Sequence, residues 1–523
     1  MATARATPTG AEALLRTAAA AGVRVCFANP GTSEMALVAA LDRVPEVRAV
    51  LGLFEGVCTG AADGYGRMAG RPALTLLHHG PGLANGIANL HNAWRARSPV
   101  VTLVGDHPDR HLPHDPPLTS DVASLARPVS TWLRRASDPE RLGDDVAEAI
   151  AAASRPPGGV ATLVAPSDTL ADAATGPAAP LPIPPAPGVE ADRVEQVAAL
   201  LRRGGAPVLL LGGSGLGERG LRAAARVAAT TGCRLVYETW PARLERGGDL
   251  PRPERLPYFA EQVVELLKAA PGLVLAGARA PVAFFAHPEL RGRLVPESCE
   301  TRTLAAPRED VPAALEALAD ALDAPPAATG AEAPRPERLP RPQGPLDLPS
   351  FGAAVAAVQP EGAIVVEEAA TSGGPWLHLS AAGPRHTVLM LTGGAIGQGL
   401  PAATGAAVAC PDRPVLALQA DGSGLYTVQA LWTQAREGLD VTTVVCANRS
   451  YRILQIELLR AGVAEPGPQA ATLTSLDRPA PDWAALARGF GVPGERVERA
   501  EDLVQALERA LAEPGPHLIE AVL

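Results

Sequence analysis

The chain is poor in aromatic side chains, which make up 3% of its 523 residues, so its cores must be built mainly from aliphatic groups. No stretch approaches the roughly 18 to 20 unbroken apolar residues of a membrane-spanning helix, and a membrane protein is not expected. Positive charge is also short. With 46 Lys and Arg against 56 Asp and Glu, the formal net charge is -10, which argues against nucleic acid or an anionic membrane as partner, because both need a basic face. The six cysteines, Cys26, Cys58, Cys233, Cys299, Cys410 and Cys446, lie far apart and form no CxxC pair. They fit neither a disulfide framework nor a thiolate metal site, and read as small core residues in a reducing cytoplasm. The Ala-rich run Thr17 to Gly22 is too short for a secretory leader and is preceded by Glu12 and Arg16; the pattern predicts a first helix over 11–21 instead.

What is abundant is ordinary globular material, 47% apolar and 20% charged, together with 53 prolines that stiffen loops. The length suggests three domains at about 150 residues each. Short apolar runs at 23–27, 47–54, 73–77, 100–104 and 160–164 alternate with helical segments, the signature of a parallel sheet wrapped by helices. A Pro/Ala-rich linker over 173–187 leads to a second set of runs at 208–211, 234–237 and 273–275. A second linker over 324–349 leads to a third set at 363–366, 388–391, 415–418, 442–446 and 518–522. The expected architecture is α/β, with three doubly wound parallel-sheet domains over residues 1–172, 188–323 and 350–523.

Ligands of open parallel sheets sit beyond the carboxyl ends of the strands, where the third domain places its most unusual residues. Strand 415–419 runs into Ala420-Asp421-Gly422-Ser423-Gly424, and the next strand delivers Ala447-Asn448-Arg449-Ser450-Tyr451 to the same edge. An Asp and an Asn meeting there offer hard oxygen ligands to magnesium, while backbone N–H groups hold phosphate. Upstream, Thr392-Gly393-Gly394-Ala395-Ile396-Gly397-Gln398-Gly399 is a loop able to approach a ligand closely. In the first domain Glu55 closes an apolar run and opens a helix, and His78 and His79 end the run 73–77, a proton-transfer position.

From Asp421 to Asn448 the chain resembles the GDG…NN motif of thiamine diphosphate enzymes, with Ala420 for the leading Gly and Ala447 for the first Asn. The first domain resembles that of benzoylformate decarboxylase and acetolactate synthase large subunits through Asn29-Pro30-Gly31-Thr32-Ser33-Glu34, Ala62-Asp63-Gly64-Tyr65 and Gly82 to Asn85 into Asn92-Ala93-Trp94. The resemblance implies a pyrimidine-binding domain, a central Rossmann-like domain and a diphosphate-binding domain. It implies thiamine diphosphate held by Asn29, Gly31, Asn85, Thr371, Gly394, Ile396, Gly422, Ser423 and Tyr451, with Asp421, Asn448 and the Ser450 carbonyl on magnesium. The same resemblance implies that Ile396 props the cofactor in its bent shape and that Glu55 activates its aminopyrimidine. His78 falls on the active-site His of benzoylformate decarboxylase, and the second such His falls near Ala286 or His287.

The implied chemistry is cleavage or formation of a carbon-carbon bond beside the carbonyl of a 2-oxo acid, with an aldehyde or a second oxo acid as acceptor in the ligase case. The implied assembly is a homodimer or homotetramer, with the two halves of the cofactor bound by different subunits. A competing motif is Gly215-Leu216-Gly217-Glu218-Arg219-Gly220 with Glu238 beyond the next strand, a dinucleotide fingerprint that would make the chain a FAD- or NAD-binding oxidoreductase. A non-catalytic regulator that kept the fold is a third reading, and Glu55, Asp421 and Asn448 argue against it.

Overall fold

The structure, a computed structural model, describes residues 7–286, 292–326 and 339–523. It divides into two compact units, one made of Met1–Ile183, Leu339–Leu379 and Leu391–Leu523, the other of Pro184–Arg338 and Ser380–Met390.

The first sheet of the larger unit joins β1 (Val25–Asn29), β2 (Arg48–Leu51), β3 (Ala73–Leu77), β4 (Val100–Asp106), β5 (Trp132–Arg135) and β6 (Val160–Pro166) in the order β2-β1-β3-β4-β6-β5, all parallel. Every residue of β3, β4 and β6 is buried because helices cover both faces, which is why these strands read as unbroken apolar runs rather than alternating ones. One face packs on α1 (Gly10–Ala20), through Leu14, Leu15 and Ala18. Thr9 caps α1 by accepting the Glu12 N–H, and Gly22 follows it at a φ of 88°. The other face packs on α2 (Glu55–Ala69) and α3 (His79–Ala96), through Tyr65, Leu83 and Leu90.

The smaller unit holds β7 (Val208–Leu211), β8 (Arg234–Tyr237), β9 (Leu244–Arg246), β10 (Glu254–Arg255), β11 (Gly272–Ala276) and β12 (Glu300–Ala305), with a parallel sheet in the order β10-β8-β7-β11-β12. In sequence order there follow β13 (Ala363–Glu368) in the larger unit and β14 (His386–Met390) in the smaller, where it pairs antiparallel with β9. The larger unit's second sheet runs β17-β18-β16-β15-β13, from β15 (Val415–Ala420), β16 (Val441–Ala447), β17 (Gly494–Val497) and β18 (His517–Val522).

The sequence pattern leaves β5, β9, β10, β12 and β17 unmarked, and the reason is shared. Among the described residues β5, β9, β10, β12 and β17 all lie at sheet edges, and each carries charged residues that break the apolar run of a central strand. Asp421–Gly424 forms a helical turn of its own, and a longer helix follows over Ala430–Glu437. Among the described residues no helix is long and apolar enough to cross a membrane.

The two sheets of the larger unit are joined by α2 lying against α4 (Gly399–Ala409). The approach is backbone to backbone: a Cβ built on Gly64 would stand 2.1 Å from the Ala402 carbonyl oxygen, and one on Gly405 would stand 1.8 Å from that of Ala61.

Candidate active site

At the carboxyl edge of the first sheet, β1 ends in Asn29, whose amide donates to the Gly52 carbonyl at 2.8 Å and ties the end of β1 to the segment after β2. Glu55 opens α2, and its Oε2 accepts from the Asn85 amide of α3 at 3.0 Å. The sequence pairs neither residue with the other, and the structure brings them together across two helices. His78 and His79 begin α3, His79 with a left-handed φ of 52° that a non-glycine residue adopts only when its surroundings enforce it.

Both rings have partners from the segment after β1. The His78 Nδ1 lies 2.8 Å from Glu34 Oε2, the oxygen that also accepts the Gly31 N–H at 2.7 Å. Gly31 is required here, since a Cβ would stand 2.2 Å from His78 Nδ1. The His79 Nε2 lies 2.5 Å from the Ser33 hydroxyl, and its ring is fully buried. Burial first, then the neighbouring His78 and His107, lowers the His79 pKa to about 4, so this imidazole is neutral at neutral pH. Glu34 is an addition to the expected set: it appears in the sequence only as the last residue of a loop motif, yet it is wholly buried and orients His78.

At the carboxyl edge of the other sheet, β15 delivers Asp421 and β16 delivers Asn448. Asp421 is 1% exposed and accepts the Gly422 N–H at 2.8 Å and the Arg449 N–H at 2.6 Å, which fixes the two strand ends against each other. Burial is the largest influence on its carboxyl and raises its pKa, while the backbone N–H groups of Arg449 and Gly422 oppose the rise. The Asn448 side-chain oxygen accepts from the Ser450 N–H at 3.0 Å and the Ser450 hydroxyl at 3.2 Å. Tyr451 covers Gly422, where a Cβ would meet its ring at 2.5 Å. Ser423 is turned inward, with its hydroxyl receiving the Gln419 amide at 2.6 Å. Thr371 is half-buried in the turn after β13.

The loop carrying Gly394 and Ile396 is clamped from both sheets, by residues that its own sequence does not reveal. Gly394 is exposed, with a φ of 77°, and Ile396 is half-buried. Glu368, at the end of β13, accepts the N–H groups of Gly397 at 2.7 Å, Gln398 at 3.3 Å and Gly399 at 2.6 Å, and the Gln419 amide at 3.0 Å. Its burial raises its pKa while those four donors oppose the rise. From α3, Asn92 donates to the Ala395 carbonyl at 2.7 Å and accepts its N–H at 3.2 Å, and Asn89 reaches the Gly397 carbonyl at 3.3 Å. From α2, Asp63 accepts the Gln398 amide at 2.9 Å while paired with Arg67.

The chain is similar to known proteins in sequence and in fold. Residues 8–125 match the thiamine pyrophosphate enzyme N-terminal TPP binding domain, and residues 371–521 match the C-terminal TPP binding domain. The chain belongs to the thiamine pyrophosphate enzymes. It is 51% identical, over 98% of its length and 99% of the relative's, to a Mycobacterium tuberculosis (strain ATCC 25618 / H37Rv) protein provisionally named acetolactate synthase large subunit IlvX. It is 31% identical to benzoylformate decarboxylase of Pseudomonas aeruginosa, over 95% of this chain and 96% of that one. Among solved structures, the thiamine diphosphate-dependent 4-hydroxybenzoylformate decarboxylase of Rhodococcus jostii RHA1 superposes with a TM-score of 0.83 at 26% identity, covering 98% of both chains.

For a thiamine pyrophosphate enzyme the dinucleotide fingerprint of the smaller unit has a structural account. Gly213–Leu216 forms a 3-10 turn whose Gly213 N–H is received by Glu238 at 3.0 Å, so the carboxylate expected on a ribose is turned onto the glycine loop itself. Gly220 packs on the Gly215 backbone, where its Cβ would meet the carbonyl oxygen at 2.5 Å. The oxidoreductase reading is not favoured by the relatives, which are thiamine diphosphate enzymes. Of the position expected for the second active-site histidine, Ala286 is described and His287 lies outside the described residues.

Proposed function

We propose that this chain decarboxylates a 2-oxo acid and releases the remaining fragment as an aldehyde or joins it to a second carbonyl compound. The observation that supports this most directly is the convergence of Glu55 with Asn85, and of His78 and His79 with Glu34 and Ser33, at one sheet edge. Thiamine diphosphate, when bound, supplies the carbon that adds to the substrate carbonyl and takes up the electron pair left by departing carbon dioxide. Glu55 would hold the aminopyrimidine nitrogen through a carboxyl hydrogen bond, with Asn85 keeping that carboxyl in place. Conversion of RCOCOO⁻ and H⁺ to RCHO and CO₂ consumes one proton per turnover. His78, half-buried and oriented by Glu34, is the group that hands over that proton, and neutral His79 shapes the pocket beside it.

Magnesium fits the other edge. The buried Asp421 carboxylate, the Asn448 side-chain oxygen and the Ser450 carbonyl would form an all-oxygen donor set for a small hard cation. The alanines at 420 and 447 take no donor away, because side-chain ligation needs only Asp421 and Asn448. A homodimer or larger assembly in the cytoplasm, with each cofactor shared between subunits, belongs to the same reading. The test is a screen of aliphatic and aromatic 2-oxo acids with magnesium and thiamine diphosphate, with and without aldehyde acceptors, following carbon dioxide and product mass. Cofactor binding without carbon dioxide release from any 2-oxo acid overturns the proposal.

A further inference from the structure

Glu34, His78 and His79 can each offer one ligand atom such that all three atoms lie within 4.8 Å of one another. Two imidazoles and one carboxylate form the donor set that binds zinc, cobalt and nickel, and it differs in kind from the all-oxygen set at Asp421. We propose that Glu34, His78 and His79 form a second metal site, selective for a borderline-soft divalent ion such as Zn²⁺, whose occupancy silences the enzyme.

Three features support the site. The first is preorganisation: Glu34 is wholly buried and pinned by the Gly31 N–H, and His79 is held in a left-handed backbone conformation. The second is unused ligand capacity in a buried place, since Glu34 Oε1 and His79 Nδ1 are both buried without a hydrogen-bond partner. With its Nε2 engaged by Ser33, His79 has Nδ1 as the ring nitrogen left for a metal. The third is distance. The Glu34 Oε2 and His78 Nδ1 atoms stand 2.8 Å apart across a shared proton, and exchanging that proton for zinc requires them to open to about 3.4 Å for tetrahedral bonds near 2.1 Å. Asp106 Oδ1 stands 3.8 Å from His79 Nδ1, on the same side as the open ligand atom, and Asp106 is already engaged by the His107 N–H and Arg135. A bound ion would occupy both histidines and remove His78 from proton delivery.

The test uses the full chain saturated with magnesium and thiamine diphosphate, so that the oxygen site is filled. Titration with Co²⁺ should give one equivalent with visible ligand-field absorption, and Zn²⁺ should displace it. Glu34→Gln and His78→Ala, each checked for unchanged circular dichroism, should weaken Zn²⁺ binding by about tenfold or more. His111→Ala with His114→Ala, on exposed positions, should leave it unchanged. Retention of the full equivalent in Glu34→Gln or His78→Ala, its loss in the His111/His114 variant, or no Co²⁺ spectrum at all overturns the site. Zn²⁺ inhibition reversed by chelator is the accompanying activity readout. Because binding is read spectroscopically, the outcome does not depend on whether the 2-oxo acid assignment holds.

Discussion

The carboxylates Glu55 and Asp421 act at opposite sheets, and their substitutions should fail differently. Glu55→Gln keeps the shape and the Asn85 contact but removes the acid, so turnover should fall by at least about a hundredfold, in the range of general acid-base effects, while cofactor affinity measured by calorimetry is retained. Asp421→Ala removes the buried anion proposed to hold the cation, so magnesium-dependent cofactor binding itself should be lost. Full turnover in Glu55→Gln or unchanged cofactor affinity in Asp421→Ala contradicts these assignments. His79 gives a pH prediction of definite sign. Its pKa falls from 6.5 to about 4 on folding, so between those values the unfolded chain binds more protons, and the stability that neutral burial contributes, complete above pH 6.5, is lost as pH falls toward 4. The stability difference between the wild type and His79→Gln, from urea unfolding, should shift by about 2 kcal/mol against the wild type between about pH 7.5 and about pH 5. An unchanged difference would mean that His79 titrates normally.

At the scale of elements, the legible parts were those that one segment spells out alone. The strand ends with Asp421 and Asn448, the glycine loop with Ile396 and the helix opening at Glu55 each carry their signal within a dozen residues. The clamp on the loop was not legible, because Glu368, Asn89, Asn92 and Asp63 come from β13, α3 and α2, and buried polar residues on helices look the same in sequence whether they face solvent or a loop some 300 positions away. Glu34 was hidden for a related reason: its partner His78 lies 44 residues on. The clamp makes its own prediction. The Glu368 carboxylate receives four N–H donors, and Glu368→Gln turns an amide group toward some of them. Leaving buried donors unpaired costs about 1 to 3 kcal/mol, so the variant should melt lower and bind thiamine diphosphate more weakly through a loosened Ile396 loop. Wild-type melting and affinity together would show that the carboxylate is dispensable.

Across the whole molecule, the two cofactor-binding domains of the family lie far apart in the chain, over residues 8–125 and 371–521, yet apart from Ser380–Met390 they share one compact unit. What allows this is the crossing of α2 and α4, where glycines stand at the points of nearest approach. A methyl group at Gly64 would press on the Ala402 carbonyl at 2.1 Å, and one at Gly405 would press on the Ala61 carbonyl at 1.8 Å; both obstacles are backbone, which has no rotamer to change. Relief therefore requires the helices to separate, and α2 carries Glu55 while α4 follows the loop that carries Ile396. Gly64→Ala and Gly405→Ala should each destabilise the unit by about 1 to 3 kcal/mol or more, the cost of overpacking a close contact, although alanine favours the helix intrinsically. Because the separation opens the seam between the domains, thermal unfolding should broaden or split into two transitions, and thiamine diphosphate affinity should fall even though neither glycine is expected to touch the cofactor. A single sharp transition at the wild-type temperature in both variants would show that the seam yields without cost and that some other contact couples the domains.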